Sequence, residues 1–257
     1  MTNRTRKTDP KTVPKISVKI WKPIIEKLDT KIASACLRRD AYLNKILEVE
    51  LDSLDEEVSI PNSPASYNFV SDRLQKLDLK LVSLALAPEL TDRLNEICGR
   101  KRIVRDAFFN RIFLLLAASP KVIDSLFFSN VRDEWRTEVW KGCKDNDAFL
   151  TDIYPLQPQI NPFWGIRTGI EIYSGNNALE DYVEPKSGKA IRVCRDFSGS
   201  VAPADSMYTI IFNLKIGDED LLGLSCYMPD WRIPEHEAEQ KRRANLDQLL
   251  TDLAPLS

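Results

Sequence analysis

The sequence predicts an α+β chain: two tandem strand–helix–helix units that close on each other as a pseudo-dimer, then a C-terminal α+β domain with an antiparallel sheet. The first observation behind this is an internal repeat. Slid by 66 positions without a gap, residues 16–47 fall on 82–113, which lays Arg39-Asp40-Ala41-Tyr42-Leu43-Asn44-Lys45-Ile46 on Arg105-Asp106-Ala107-Phe108-Phe109-Asn110-Arg111-Ile112. A repeat of this kind sets the architecture before any local reading. The second observation is that each copy opens on a two-residue alternation and continues at helical spacing. The third is a change of pattern from about residue 119, where turn residues separate several short strand candidates.

Residues 1–14 hold Arg4, Arg6, Lys7 and Lys11 among Thr, Asp, Asn and Pro without apolar periodicity, which predicts a disordered basic arm. The first unit spans 15–50. In Lys15-Ile16-Ser17-Val18-Lys19-Ile20 the odd positions are polar and the even ones apolar and β-branched, the pattern of a strand with one wet and one dry face. Pro23 suits the first turn of a helix along which Ile24, Ile25, Leu28 and Ile32 recur. After a polar break from Ser34 to Arg39, a second helix carries Ala41, Tyr42, Leu43, Ile46, Leu47 and Val49. Residues 51–79 begin acidic and turn to Pro61-Asn62-Ser63-Pro64, a linker followed by a short helix from Ala65 to Leu77. The second unit, 80–118, keeps an apolar partner at each apolar position of the first: Val82 for Ile16, Leu84 for Val18, Leu86 for Ile20, Leu90 for Ile24 and Leu94 for Leu28.

Residues 119–257 begin with a helix carrying Val122, Leu126, Phe127, Trp135, Val139 and Trp140, and a Pro-rich loop from Tyr154 to Pro162 follows. Strands are predicted at Ile166–Tyr173, Ala190–Phe197, Tyr208–Ile216 and Leu221–Met228. Gly217-Asp218-Glu219-Asp220 joins the last two as a hairpin, and a charged helix from about Glu235 to Leu253 closes the chain.

An alternating strand, two helices and an Arg-Asp-Ala-aromatic start to the second helix together resemble the ribbon-helix-helix family of Arc, MetJ and CopG type DNA-binding proteins. The resemblance covers roughly residues 15–50 and 80–116. It implies that two units pair their strands into an antiparallel ribbon, which enters the DNA major groove. One unit alone would leave Ile16, Val18 and Ile20 uncovered, so two copies in one chain imply a built-in pseudo-dimer. The chain departs from the family where the second helix usually opens with Ser or Thr: here Arg38 and Val104 stand at those positions.

With Ile16, Val18 and Ile20 on the dry face, the candidate base-reading residues of copy one are Lys15, Ser17 and Lys19, types that donate to guanine O6/N7 or bond base edges more loosely. Copy two offers Leu81, Ser83 and Ala85, suited to a thymine methyl, so an asymmetric site read mainly by copy one is expected. Arg38, Arg39, Arg102 and Arg105 are candidate phosphate contacts beside the helix starts. For Arg39 and Arg105 the alternative is surface ion pairing with Asp40 and Asp106. Trp21 either faces the groove or packs at the strand-to-helix junction.

The chain of 257 residues is nearly neutral, with 36 Lys+Arg against 38 Asp+Glu, which argues against a generally sticky basic protein. The charge is uneven: residues 1–120 carry 21 basic against 16 acidic side chains, the remainder 15 against 22. The arm either follows a phosphate backbone or is a solvated terminus. Five cysteines without a Cys-x-x-Cys pair fit small core residues in a reducing cytoplasm. No apolar stretch reaches membrane length and no signal segment opens the chain, so no membrane partner is expected.

The lone His236, among Glu235, Glu237 and Glu239, fits an exposed helix start rather than a general base. No Walker loop, dinucleotide fingerprint, nucleophile elbow or metal-ligand cluster occurs, and the expectation is a non-enzyme without cofactor or metal. Trp164 and Trp231 stand two residues from prolines in loops and either fill the core or line a surface for a ligand or partner protein. The functional expectation is a cytoplasmic protein that binds double-stranded DNA, a transcriptional repressor or antitoxin-like autoregulator, with a C-terminal domain that assembles homo-oligomers or senses a partner or small ligand. A relaxosome or plasmid-partition accessory protein is the alternative within DNA binding. From another class, the repeat is a dimerisation scaffold for a C-terminal effector domain in a defence or toxin system.

Overall fold

In the computed structural model, which describes residues 15–128, 162–163, 165–167, 169–170, 179–183, 190–194, 206–212, 215–216 and 219–234, the repeat emerges as two copies of strand, helix, helix. The first copy is β1 (Lys15–Trp21), α1 (Lys22–Ser34) and α2 (Arg39–Glu57). A further helix, α3 (Pro64–Gln75), leads to the second copy, β2 (Leu79–Ala85), α4 (Pro88–Lys101) and α5 (Arg105–Ala117), and α6 (Pro120–Phe127) follows. Prolines open α1, α3, α4 and α6 at N1 or N2, where the missing N–H costs no intrahelical bond.

β1 and β2 pair antiparallel, and the register is symmetric about the repeat. Ser17 lies opposite Ser83, its own equivalent 66 positions on, while Ile16 opposite Leu84 mirrors Val18 opposite Val82. A local two-fold relation therefore runs through the Ser17–Ser83 pair. Val18, Ile20, Val82 and Leu84 are buried, which covers the dry face. The helices interlock across the two copies, α1 packing on α5 and α2 on α4. The backbone repeats as well: Cys36 (φ 55°) and Arg102 (φ 49°), equivalent positions just past α1 and α4, both adopt the left-handed conformation that turns the chain out of a helix. Trp21 is buried at the strand-to-helix junction, the packing role.

The stretch between the copies is largely helical. α2 runs on to Glu57, and α3 sends Phe69, Val70 and Leu74 into the core, with Leu77 just beyond its end. Beyond α6, β3 (Leu179–Val183) pairs antiparallel with β4 (Ala190–Cys194), and β5 (Lys215–Ile216) with β6 (Glu219–Asp220).

Three strand expectations are corrected. Residues 166–167 and 169–170, inside the strand expected at Ile166–Tyr173, are helical. The strand expected at Tyr208–Ile216 begins in a turn at Met207–Thr209, and among its described residues only Lys215–Ile216 are strand. The strand expected at Leu221–Met228 is a 3-10 turn at Leu222–Leu224 followed by irregular backbone. Leu221, Leu222, Leu224, Cys226 and Met228 are all buried, and a short apolar run reads alike as buried strand, helix or irregular chain. Packing decides it here. Gly223 lies so close to α3 that a Cβ would sit 2.5 Å from the Leu74 backbone nitrogen.

Phe163, Ile166, Met207, Tyr208, Phe212, Leu221 and Leu224 belong to the same hydrophobic core as Phe108, Phe109 and Phe113 of α5. The arm 1–14, Trp135, Val139, Trp140, the Pro-rich loop from Tyr154, Trp164, the end of β4's expected strand at Phe197, His236 and the closing helix from Glu235 to Leu253 lie outside the described residues. The architecture is α+β, and among the described residues no helix is long and apolar enough to cross a membrane.

Candidate nucleic-acid interface

The Arg-Asp-x-x-x-Asn signature shared by the copies holds the ribbon from both sides. Asn110 Oδ1 accepts from the Trp21 N–H at 2.8 Å while its Nδ2 donates to the Lys19 carbonyl at 2.8 Å. Asn44 does the same to the other strand, accepting from the Ala87 N–H at 2.8 Å and donating to the Ala85 carbonyl at 2.9 Å. Asp106 accepts from the Lys19 N–H at 3.2 Å and Asp40 from the Ala85 N–H at 3.0 Å. Arg105 donates to the Ser17 carbonyl at 3.1 Å and Arg39 to the Ser83 carbonyl at 3.2 Å. A two-stranded sheet has two outer edges with unpaired main-chain groups. Each second helix supplies partners to the outer edge of the other copy's strand. These hydrogen bonds reach main chain only, so the wet face keeps its side chains.

On that face Lys15, Ser17, Lys19, Leu81 and Ser83 are exposed and Ala85 is half-buried. The antiparallel register sets Lys15 opposite Ala85 and Lys19 opposite Leu81, with the two serines between them. The lysines therefore divide between the ends of the ribbon, each beside an apolar residue, with Leu81 exposed to 67%. Five residues of strand span about 14 Å and the strands lie about 5 Å apart, dimensions that the major groove admits.

The four arginines differ in their surroundings. Arg38 is exposed at the N-cap of α2, and Val104 occupies the same place on α5; neither helix start receives a side-chain cap. Arg39 and Arg105 support the strands through the bonds above and also lie 3.3 Å and 3.7 Å from Asp40 and Asp106, while Arg39 is 3.0 Å from Asp29. Arg102 is exposed and donates to the Asn62 carbonyl at 3.3 Å. Arg102 and Arg105 share a groove of about 680 Å³ with Tyr67, Asn68 and Asn95, between α3, α4 and the start of α5. Trp231 is 64% exposed beside Asp230, whose carboxylate accepts hydrogen bonds from the hydroxyls of Ser63 and Ser66 and is held below the usual carboxylate range by them. Among the described residues no cluster of side chains is arranged to hold a metal ion.

Sequence reading missed the polar residues that tie later segments to the two copies. Asn62, inside Pro61-Asn62-Ser63-Pro64, donates to the carbonyls of Arg102 and Cys226 and accepts from the Met228 N–H at 2.9 Å. Arg167 grips Glu50 through two bonds of 2.9 and 2.7 Å and reaches Glu57 at 2.7 Å, while the Tyr208 hydroxyl also donates to Glu50. Burial opposes the charge on Arg167, but Glu50 and Glu57 more than offset it and raise its pKa. Burial pushes the Tyr208 phenol well up, so it stays a donor. Arg111, fully buried, donates to the carbonyls of Met207 and Ile210 at 2.8 and 2.7 Å and lies 4.0 Å over the Phe212 ring. Its repeat equivalent, Lys45, is exposed and paired with Glu48. Compared with protein-family models, curated proteins and solved structures, the chain matches none of them.

Proposed function

We propose that the chain is a sequence-specific double-stranded DNA-binding protein of ribbon-helix-helix kind, acting as a transcriptional repressor or antitoxin-like autoregulator. The observation that carries this reading is the β1–β2 ribbon itself. Its edges are held by Arg39, Asp40, Asn44 and their equivalents, while Lys15, Ser17, Lys19, Leu81 and Ser83 stand in a row on the open face. Lysine donors suit guanine O6/N7 and Leu81 suits a thymine methyl, so each end of the ribbon reads through a lysine beside an apolar side chain. Arg38 and Arg102, exposed near the helix starts, suit phosphate contacts that fix the register without reading sequence. The exposed Trp231 suits a partner or ligand of the later segments.

Selection of bound sequences from random duplex DNA, using the full chain, tests the reading. A selected motif is the expected result. Lys19→Ala should then weaken binding by about 1–3 kcal/mol and relax preference at one base position. Recovery of no motif would leave the scaffold reading, in which the two copies serve only to hold an effector region. The tandem arrangement also fits a relaxosome or plasmid-partition accessory protein, which a motif mapping to a transfer or partition locus rather than a promoter would favour.

A further inference from the structure

The local two-fold relation through the Ser17–Ser83 pair exchanges each ribbon residue for the one 66 positions away: Lys15 with Leu81, Ser17 with Ser83 and Lys19 with Ala85. The main chain obeys this relation, since Asp40 and Asn44 hold one strand as Asp106 and Asn110 hold the other. The open face does not. Both lysines project from β1, whereas β2 offers Leu81, exposed to 67%, and the half-buried Ala85. A two-fold reader matches a DNA sequence of the same symmetry, and on this face only the central serines keep it. The shape of the ribbon decides which DNA strand each side meets. Each strand has seven residues, a length of about 23 Å, while the major groove is about 12 Å wide and the paired strands lie about 5 Å apart. The ribbon therefore fits lengthwise, with β1 and β2 side by side across the groove, each facing the bases of a different DNA strand. Lys15 and Lys19 lie about 13 Å apart along β1, close to four base-pair steps of about 3.4 Å.

We propose that the recognised site is non-palindromic, with two guanines about four base pairs apart on one DNA strand, one met by Lys15 and the other by Lys19. The inference rests on the DNA-binding reading above and adds that the bound chain has one orientation on its site. The test is selection of bound sequences from random duplex DNA by the full chain and by a Lys19→Ala/Leu81→Lys variant. Both positions are exposed, so the variant should keep the wild-type melting temperature. The exchange keeps the net charge and gives both strands the same Lys-Ser-Ala row, which restores the two-fold relation. The wild type should select a motif without a dyad and with both guanines on one strand; the variant should select a palindrome with one guanine on each strand. Lys15→Ala and Lys19→Ala, each alone, should weaken binding about tenfold and abolish preference at two different guanines of the same strand. A palindromic wild-type motif, guanine preferences lost on opposite strands, or a folded variant that selects the wild-type motif or none overturns this inference and leaves the DNA-binding reading standing. If the wild type selects no motif, both fall.

Discussion

Asn110 and Asn44 perform the same task in different surroundings. Asn110 is fully buried and satisfies the Trp21 N–H and the Lys19 carbonyl, so Asn110→Ala strands buried main-chain groups and should cost about 2–3 kcal/mol. Asn44 is half-exposed, water can replace it, and Asn44→Ala should cost about 1 kcal/mol. Denaturant titration of both variants checks the difference, and equal costs would remove the burial argument. Tyr42 offers the opposite sign. Its hydroxyl is buried without a hydrogen-bond partner among the described residues, burial raises its pKa, and its repeat equivalent is Phe108. Tyr42→Phe should therefore stabilise the chain by about 1 kcal/mol, read as a higher denaturation midpoint at unchanged slope.

Elements meet at a few tight places. Gly223 touches the α3 backbone, where no side chain can yield, so Gly223→Ala should lower stability by about 1–3 kcal/mol as the segment moves off α3. Thermal melting of that variant beside Gly99→Ala, a site with open space around its Cβ, separates steric clash from a general effect of replacing glycine. The C-terminus of α2 is held by Lys101, which donates to the carbonyls of Asp55 and Val58 and lies 2.9 Å from the Asp55 carboxylate. The Lys101 hydrogen bond, with help from Arg100, lowers the Asp55 pKa below its unfolded value. A depressed carboxylate adds stability that is complete above the unfolded pKa, about 3.9, and is lost as pH falls through the lower folded value. Asp55→Asn should therefore be less stable than wild type at neutral pH and converge on it in acid; a constant gap across pH would assign the effect to something other than this charge.

At the scale of the molecule, the Glu50–Arg167–Glu57–Tyr208 network joins α2 to segments more than 100 residues away in sequence. Glu50 is 1% exposed, so Arg167→Ala leaves a buried carboxylate without its partner and should cost about 3–5 kcal/mol. Replacing both charges, as Glu50→Gln with Arg167→Met, should recover much of that stability, because the penalty lies in the uncompensated charge. If the double variant is as unstable as the single one, packing rather than charge holds the junction.

The two-copy plan is legible in the sequence alone. Alternation over Lys15–Ile20 and helical spacing from Ile24 to Ile32 are local signals, and their recurrence 66 positions on left little freedom in how the front half folds. The tertiary structure alone decided what shared residues do. A repeat marks Arg39, Asp40, Asn44 and their equivalents as important twice over, but only the antiparallel pairing brings them to strand main chain at the other copy's edge. The same pairing sets Lys15 beside Ala85 and Lys19 beside Leu81, which a strand-by-strand reading cannot show because register belongs to two strands at once. Lys45 and Arg111 occupy equivalent positions, one exposed and one buried under residues 207–212, because burial depends on which distant segment arrives. The strand readings around 166, 208 and 221 failed for that reason: a short apolar run states that it will be buried, and the partner it meets sets its shape.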